Sequence, residues 1–332
     1  MLTKLPDIPL FNNNFPYYPI DKEYRNKELK RFITNDKWNE LFSIEPNTGS
    51  YEFKSGFTLG NSYLWSFFNY ALSSIKCNDK LTPLDIYYNK DLLLDCLSRN
   101  FDDESIKTIL PSKLRELLKT DIRVQTVNNF RPISAQVIYD CFLEDFDSVV
   151  YDPCHGFGGR MLGAIKSEKV AKYIGTDPAS QASNTLKDVY THIKDQDSLL
   201  NTEIELFNEP AENFKLKPNS IDLVLTSPPY FNTEKYSTEK TQSYIKYNTK
   251  ELWLNDFLKP MLYNCFECLK PDGRLLLNIA NVETFKDLEI QALNIALSLG
   301  FKLKCIHKYI LALRSPINRQ TKFEPIFELI KE

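Results

Sequence analysis

The residues best suited to chemistry are Thr226-Ser227-Pro228-Pro229-Tyr230-Phe231, directly after the apolar run 221–225. Two prolines end a strand's hydrogen-bond ladder and fix the local backbone. A turn so stiffened aims a side-chain oxygen and a carbonyl at one point. A planar amino group presents two N–H donors, and the Ser227 hydroxyl oxygen and the Pro228 carbonyl can take one each. Pro229 holds the turn, and Tyr230 offers a flat ring on which a heterocycle can lie, with Phe231 as a further contact. The alternative is a structural turn with a buried tyrosine.

A second group is Tyr151-Asp152-Pro153-Cys154-His155-Gly156-Phe157-Gly158-Gly159-Arg160. Of the chain's ten glycines, those at 156, 158, 159 and 163 fall here. Such a loop lets the backbone approach a ligand at the carboxyl end of a strand. It also suits a dinucleotide or a purely structural turn. The spacing is not GxGxxG, and no GxxxxGK[ST] occurs, so phosphate binding is not the favoured reading. Asp177, 25 residues beyond Asp152, ends the next apolar run. There it can accept hydrogen bonds from both ribose hydroxyls of an adenosine, or merely cap the following helix. Glu212, in the segment Asn208-Glu209-Pro210-Ala211-Glu212-Asn213, is the candidate contact to the adenine side of the same ligand, with Glu209 and Asn213 as substitutes.

Placing these groups together requires an alternating fold. Short apolar runs at 147–151, 172–175, 203–206, 221–225 and 274–279 alternate with helical patterns at 159–168, 181–194, 250–269 and 284–299. That rhythm predicts a doubly wound parallel sheet. Asn248 with Glu251 reads as the start of the third helix, and Pro260 as a kink within it. The runs 302–313 and 323–330 predict a terminal antiparallel hairpin on the sheet edge. The first part of the chain differs. It is rich in Asn, Lys and aromatics, and its apolar residues at three- and four-residue spacing predict helices over 21–42, 62–75, 90–101 and 105–119. We therefore divide the chain into a mostly helical region, 1–122, and a catalytic domain, 123–332. The aromatics of the first region, Trp38 and Trp65 among them, can stack on bases or simply fill a core.

Composition narrows the setting. Seven cysteines are too scattered for a disulfide framework, and Cys265 and Cys268, the CxxC pair, sit in a helical pattern. With three histidines as well, no metal site is expected. The start of the chain lacks the apolar run of a signal peptide, and no long apolar span occurs, so a cytoplasmic location and no membrane partner are expected. A net charge of −3 means any nucleic-acid face must be local. Residues 301–322 hold six Lys or Arg and no Asp or Glu; Arg314 and Arg319 in its loop are candidate DNA contacts, although a solvated strand edge also carries lysines.

Taken together, DPCHGFGGR resembles the cofactor motif DPFxGxG of DNA amino-methyltransferases, and TSPPY resembles their catalytic motif [DNS]PP[YF]. Asn129-Phe130-Arg131-Pro132 sits where such enzymes carry a further cofactor-contacting segment. Phe323-Glu324-Pro325-Ile326-Phe327 resembles their last strand. The resemblance runs from about residue 126 to 332. It implies a class I methyltransferase fold, a Rossmann-like, mainly parallel sheet of seven strands with a terminal antiparallel hairpin, binding S-adenosyl-L-methionine at its switch point. It further implies cofactor contacts from Phe130, Asp152, Pro153, Gly156, Gly158, Asp177, Glu212 and Thr226, catalysis by Ser227, Pro228, Pro229 and Tyr230, and substrate contacts from Phe231, Arg314 and Arg319. The implied reaction methylates the exocyclic amino group of a flipped DNA base, as in restriction-modification. Ser before PPY is commoner in enzymes acting on N4 of cytosine than in those acting on N6 of adenine. Two features depart from the pattern: His155 stands where a small or aromatic residue is usual, and no long recognition region follows the catalytic motif. Specificity then falls to the first region, to residues 232–249, or to both. Rival readings are RNA or protein-glutamine methylation with the same clamp, where NPPY is usual, and a non-catalytic nucleic-acid-binding protein of this fold.

Overall fold

The computed structural model describes residues 14–35, 42–54, 58–101, 109–196, 201–311 and 322–332. Among the described residues, nine strands form one sheet: β1 (Phe42–Ile44), β2 (Tyr51–Lys54), β3 (Ser148–Asp152), β4 (Val170–Thr176), β5 (Glu203–Phe207), β6 (Ile221–Thr226), β7 (Leu269–Asn278), β8 (Phe301–Ile310) and β9 (Phe323–Lys331). Their spatial order is β1-β2-β8-β9-β7-β6-β3-β4-β5. From β3 onward the pairing is parallel except for β9, which runs antiparallel to both β7 and β8. Those seven strands have the order of the class I methyltransferase sheet expected from the motifs.

The apolar runs are strands because both faces of the sheet are covered. Leu223 and Leu225 of β6 enter one core cluster, and Val224 between them enters the other. In β7, Leu276 faces the first cluster, while Leu275 and Leu277 face the second. Helices Pro132–Phe142, Gly159–Lys166 and Ser180–Lys194 supply the first face. Helices Lys259–Cys268 and Leu288–Ser298 supply the second.

The first region is not wholly helical, and it does not stand apart. Strand β2 pairs in parallel with β8, and β1 pairs antiparallel with β2, so the β8–β9 hairpin is interior rather than at the edge. Leu29, Phe32, Tyr63 and Phe68 share a cluster with Val150 and Tyr173 of the sheet. Helices Pro83–Tyr88, Lys90–Ser98 and Pro111–Thr120 build a separate small cluster around Ile86, Leu97 and Leu118.

Local chemistry sets several boundaries. Asp21 caps helix Lys22–Ile33 by accepting from the Tyr24 N–H. Thr249, not Asn248, caps the helical run that begins at Lys250, accepting from the Leu252 N–H. Pro260 offers no N–H, and the segment ahead of it, Trp253–Leu258, is wound as a π-helix. Among the described residues, no helix is long and apolar enough to cross a membrane.

Candidate active site

Chain order turns back between β3 and β6. β3, β4 and β5 run outward on one side, and β6 and β7 on the other. A parallel sheet opens a crevice at the carboxyl ends of its strands at such a point. A cavity of about 650 Å³ lies there, and both sequence motifs line it. Pro153, Gly156, Asp177 and Glu212 form one part of its wall, with Phe130. Ser227, Pro228, Pro229 and Tyr230 form another.

Asp152 ends β3 but does not reach this wall. It is fully buried, and its Oδ2 accepts from Arg160 Nε and from the Tyr173 hydroxyl, both at 2.8 Å. Its Oδ1 accepts from the Cys154 N–H at 3.2 Å, and Arg160 also donates to the Cys154 carbonyl. Asp152 thus shapes the glycine turn from behind, where a direct contact to ligand was expected. Gly158 likewise serves the turn. Its φ of 79° favours glycine, and a Cβ there would lie 2.3 Å from Leu186 Cδ1. A Cβ on Gly159 would lie 1.9 Å from the Phe130 carbonyl oxygen, so residues 129–130 sit directly against the turn. Asn129 Oδ1 accepts from the Gly159 N–H at 3.2 Å, and the Phe130 ring stacks on Tyr309 at 4.8 Å and 5°.

Gly156 is different. A Cβ built on it meets only the Cys154 carbonyl oxygen, at 3.9 Å, so its missing side chain leaves space at the wall. Its N–H donates to Asp177 Oδ2 at 3.1 Å, and the Ala179 N–H donates to Oδ1 at 2.9 Å. Each oxygen keeps a further lone pair. On Glu212, Oε1 receives both Lys246 Nζ and the Tyr247 hydroxyl at 3.0 Å, tying residues 246–247 to the wall. The His155 ring is buried, with Nδ1 3.1 Å from the Gly156 carbonyl and Nε2 3.3 Å from Ser183 Oγ. Burial, then the negative charge of Asp177 and Asp152, pushes the Cys154 thiol well up, so it is no nucleophile at neutral pH.

At the end of β6, Ser227 Oγ lies 3.3 Å from the Tyr230 hydroxyl. That hydroxyl is 3.1 Å from Glu324 Oε2 and 3.4 Å from the Asn278 carbonyl oxygen. Burial and then the Glu324 charge push the Tyr230 phenol well above its usual range. The Tyr230 ring is therefore pinned at its tip while lining the cavity. Phe231 turns the other way. Its φ of 56° sends the ring into the second core cluster, against Trp253 and Phe285 at 6.3 and 5.9 Å. It is not part of the wall, and neither is Thr226, which is fully buried within β6.

Sequence reading missed four wall carboxyls, Glu234, Glu283, Glu289 and Glu324. Burial and then Glu324 raise Glu234 to about 7, and burial raises Glu324 as well. For Glu324 the available signal was an acid within the apolar stretch Phe-Glu-Pro-Ile-Phe at the head of the last strand. Gln242 Nε2 and Thr233 Oγ1, also in wall residues, are buried without a hydrogen-bond partner. Arg314 and Arg319 lie outside the described residues.

Comparison with known proteins places this geometry. Residues 221–330, which hold SPPY and the last strand, match the family described as DNA methylase. The type II methyltransferase M.MjaVI of Methanocaldococcus jannaschii is 37% identical over 102 residues, 30% of this chain and 50% of that protein. The chain thus spans half the length of that relative. Among solved structures, TrmN from Thermus thermophilus is 17% identical, with a TM-score of 0.40 over 60% of this chain and 49% of that one. A SAM-dependent methyltransferase from Methanosarcina mazei is 13% identical, with a TM-score of 0.39 over 58% and 96%. Residues 221–330 are thus similar to the DNA methylase family.

Proposed function

We propose that this chain is an S-adenosyl-L-methionine-dependent methyltransferase that acts on the exocyclic amino group of a base in DNA, N4 of cytosine ahead of N6 of adenine. The observation that carries the reading is the convergence of two motifs, on neighbouring strands β3 and β6, in one cavity at the sheet's switch point.

The wall suits the cofactor. Asp177 and Glu212 offer carboxylate acceptors for ribose and adenine donors, Gly156 leaves room for close approach, and Gln242 holds a buried donor without a partner. Phe130 and Pro153 complete that part of the wall. When bound, the cofactor supplies a methyl group on a sulfonium, which needs no covalent enzyme intermediate.

The remaining work belongs to the chain. A base amino group conjugated with its ring is a poor nucleophile. Ser227 Oγ and the Pro228 carbonyl each accept one of its N–H bonds, which draws the nitrogen toward tetrahedral geometry and localises its lone pair. Tyr230, pinned at its hydroxyl, gives the base a fixed ring to lie on. The base has to leave the duplex to enter this cavity. Catalysis is then mostly positioning, on the order of several kcal/mol. Serine before PPY is the basis for placing cytosine first. The first region, residues 1–122, with residues 232–249, is assigned the reading of DNA sequence, and Arg314 and Arg319 the contact with its backbone.

The test is transfer of labelled methyl from the cofactor to DNA, RNA and protein side by side. Transfer to DNA is expected, and transfer to RNA or protein alone would replace the reading. Tyr230→Ala and Pro228→Ala are expected to lose transfer while keeping S-adenosylhomocysteine affinity in calorimetry. Asp177→Ala is expected to weaken that affinity by at least about tenfold, the loss of the charge-assisted bonds to the two ribose hydroxyls.

A further inference from the structure

A serine hydroxyl is both donor and acceptor, whereas the clamp needs it only as an acceptor. If the Ser227 hydrogen points into the cavity, it meets an incoming N–H head-on. Something must turn it away, and the three groups behind it form a chain. Ser227 Oγ is 3.3 Å from the Tyr230 hydroxyl, which is 3.1 Å from Glu324 Oε2. The Tyr230 hydroxyl has one hydrogen. Its two other neighbours, the Glu324 carboxylate and the Asn278 carbonyl at 3.4 Å, are both acceptors. The charge-assisted bond to Glu324 is the shorter and the stronger. With its hydrogen committed to Glu324, Tyr230 presents a lone pair to Ser227, and the Ser227 hydrogen turns inward to meet it.

We infer that Glu324 is a positioning residue, whose carboxylate, acting through Tyr230, sets the direction of the Ser227 hydroxyl and leaves the serine lone pairs facing the substrate amino group. The inference rests on the methyl-transfer reading above. Glu324 is held for this task. It heads β9, and Asn278 of β7 donates through Nδ2 to the Pro325 carbonyl at 3.0 Å, locking the neighbouring residue to the strand beside β6. Ninety-four residues separate Tyr230 from Glu324, so the contact exists only because β9 inserts beside β7.

Glu324→Gln keeps the shape but replaces an acceptor-only group with an amide that can donate to Tyr230 and reverse the chain. Single-turnover methyl transfer is measured for the unaltered protein, Glu324→Gln, Ser227→Ala and the double variant, with S-adenosylhomocysteine affinity and thermal melting alongside. The expected result is an approximately tenfold slower rate for Glu324→Gln, with affinity and melting unchanged. In the Ser227→Ala background the same substitution is expected to cost less than about twofold, because no hydroxyl remains to be turned. Tyr230→Phe, which keeps the ring and removes the link, is expected to slow transfer at least as much as Glu324→Gln. An equal loss in both backgrounds overturns the inference, and so does a loss that follows melting or cofactor affinity. If the unaltered protein transfers no methyl group to any substrate, the functional reading falls, and this inference with it. If it does transfer and the cycle shows no coupling, only the inference falls.

Discussion

Asp152→Asn separates a residue that shapes the cofactor turn from one that touches the cofactor. The native carboxylate is fully buried and receives three donors: Arg160 Nε, the Tyr173 hydroxyl and the Cys154 N–H. Arg160 is itself only 5% exposed, and burial beside Asp152 leaves its guanidinium with that carboxylate as counter-charge. Asparagine keeps the size and still accepts, but it leaves the guanidinium buried without an opposing charge. Breaking a buried pair from one side costs about 3–5 kcal/mol, and the retained amide oxygen puts this case near 3. For a chain of this size that is roughly 4 °C in Tm. Because the carboxylate lies behind the cavity wall, S-adenosylhomocysteine affinity, measured by calorimetry well below the melt, should change less than about threefold. Adding Arg160→Met should cost much less than its effect alone, since the orphaned charge is then gone. A variant that melts like the unaltered protein yet binds tenfold more weakly would refute the argument and put Asp152 in contact with the ligand.

Two further perturbations follow from the same wall. Gly159→Ala places a methyl 1.9 Å from the Phe130 carbonyl oxygen and 2.8 Å from Asn129 Oδ1, so backbone has to move; a loss of about 1–3 kcal/mol in urea unfolding and weaker cofactor binding are expected together. Glu234 is raised by burial, then by Glu324, from its ordinary 4.5 to about 7, so folding favours its protonated form. Its contribution is present below pH 4.5 and lost as pH rises through about 7. A hydroxyl bond from Tyr236 and partial exposure hold the swing to roughly 1–2 kcal/mol. Urea unfolding of Glu234→Gln, which has no such titration, should gain that much relative to the unaltered protein between pH 5 and pH 8; an unchanged difference would show the carboxyl to be freely solvated.

The sheet was legible because its central strands are buried on both faces and carry short apolar runs, residues 149–151, 223–225 and 275–277 among them. The two motif turns were legible for the same reason: they sit where such a run stops. Strands β1 and β2 were not, since Phe-Ser-Ile and Tyr-Glu-Phe-Lys are three and four residues long and mix polar with apolar. They are strands because β8 offers an edge, a partner more than 250 residues away. Within the motifs, residue type could be read and direction could not. Asp152 and Phe231 have the right chemistry for ligand contact. A buried ion pair takes up the first, and a left-handed backbone turns the second into the core.

Mounting the two motifs on adjacent strands has a physical consequence. β3 and β6 are hydrogen-bonded neighbours, Val150 opposite Leu223 and Tyr151 opposite Val224, so the sheet itself sets the distance between the glycine turn and the Ser-Pro-Pro-Tyr turn. A clamp that works by alignment tolerates little drift, and loops alone hold such positions poorly. The sheet fixes where the Ser227 and Pro228 oxygens sit. It cannot fix which way a hydroxyl hydrogen points, because rotation about the serine C–O bond is free. That last degree of freedom has to be settled by a group from elsewhere in the fold, and β9, inserted antiparallel beside β7, is the strand that brings a carboxylate within reach of the Tyr230 hydroxyl. The antiparallel insertion that distinguishes this sheet from an all-parallel one therefore brings Glu324 to the cavity wall as well as filling the core.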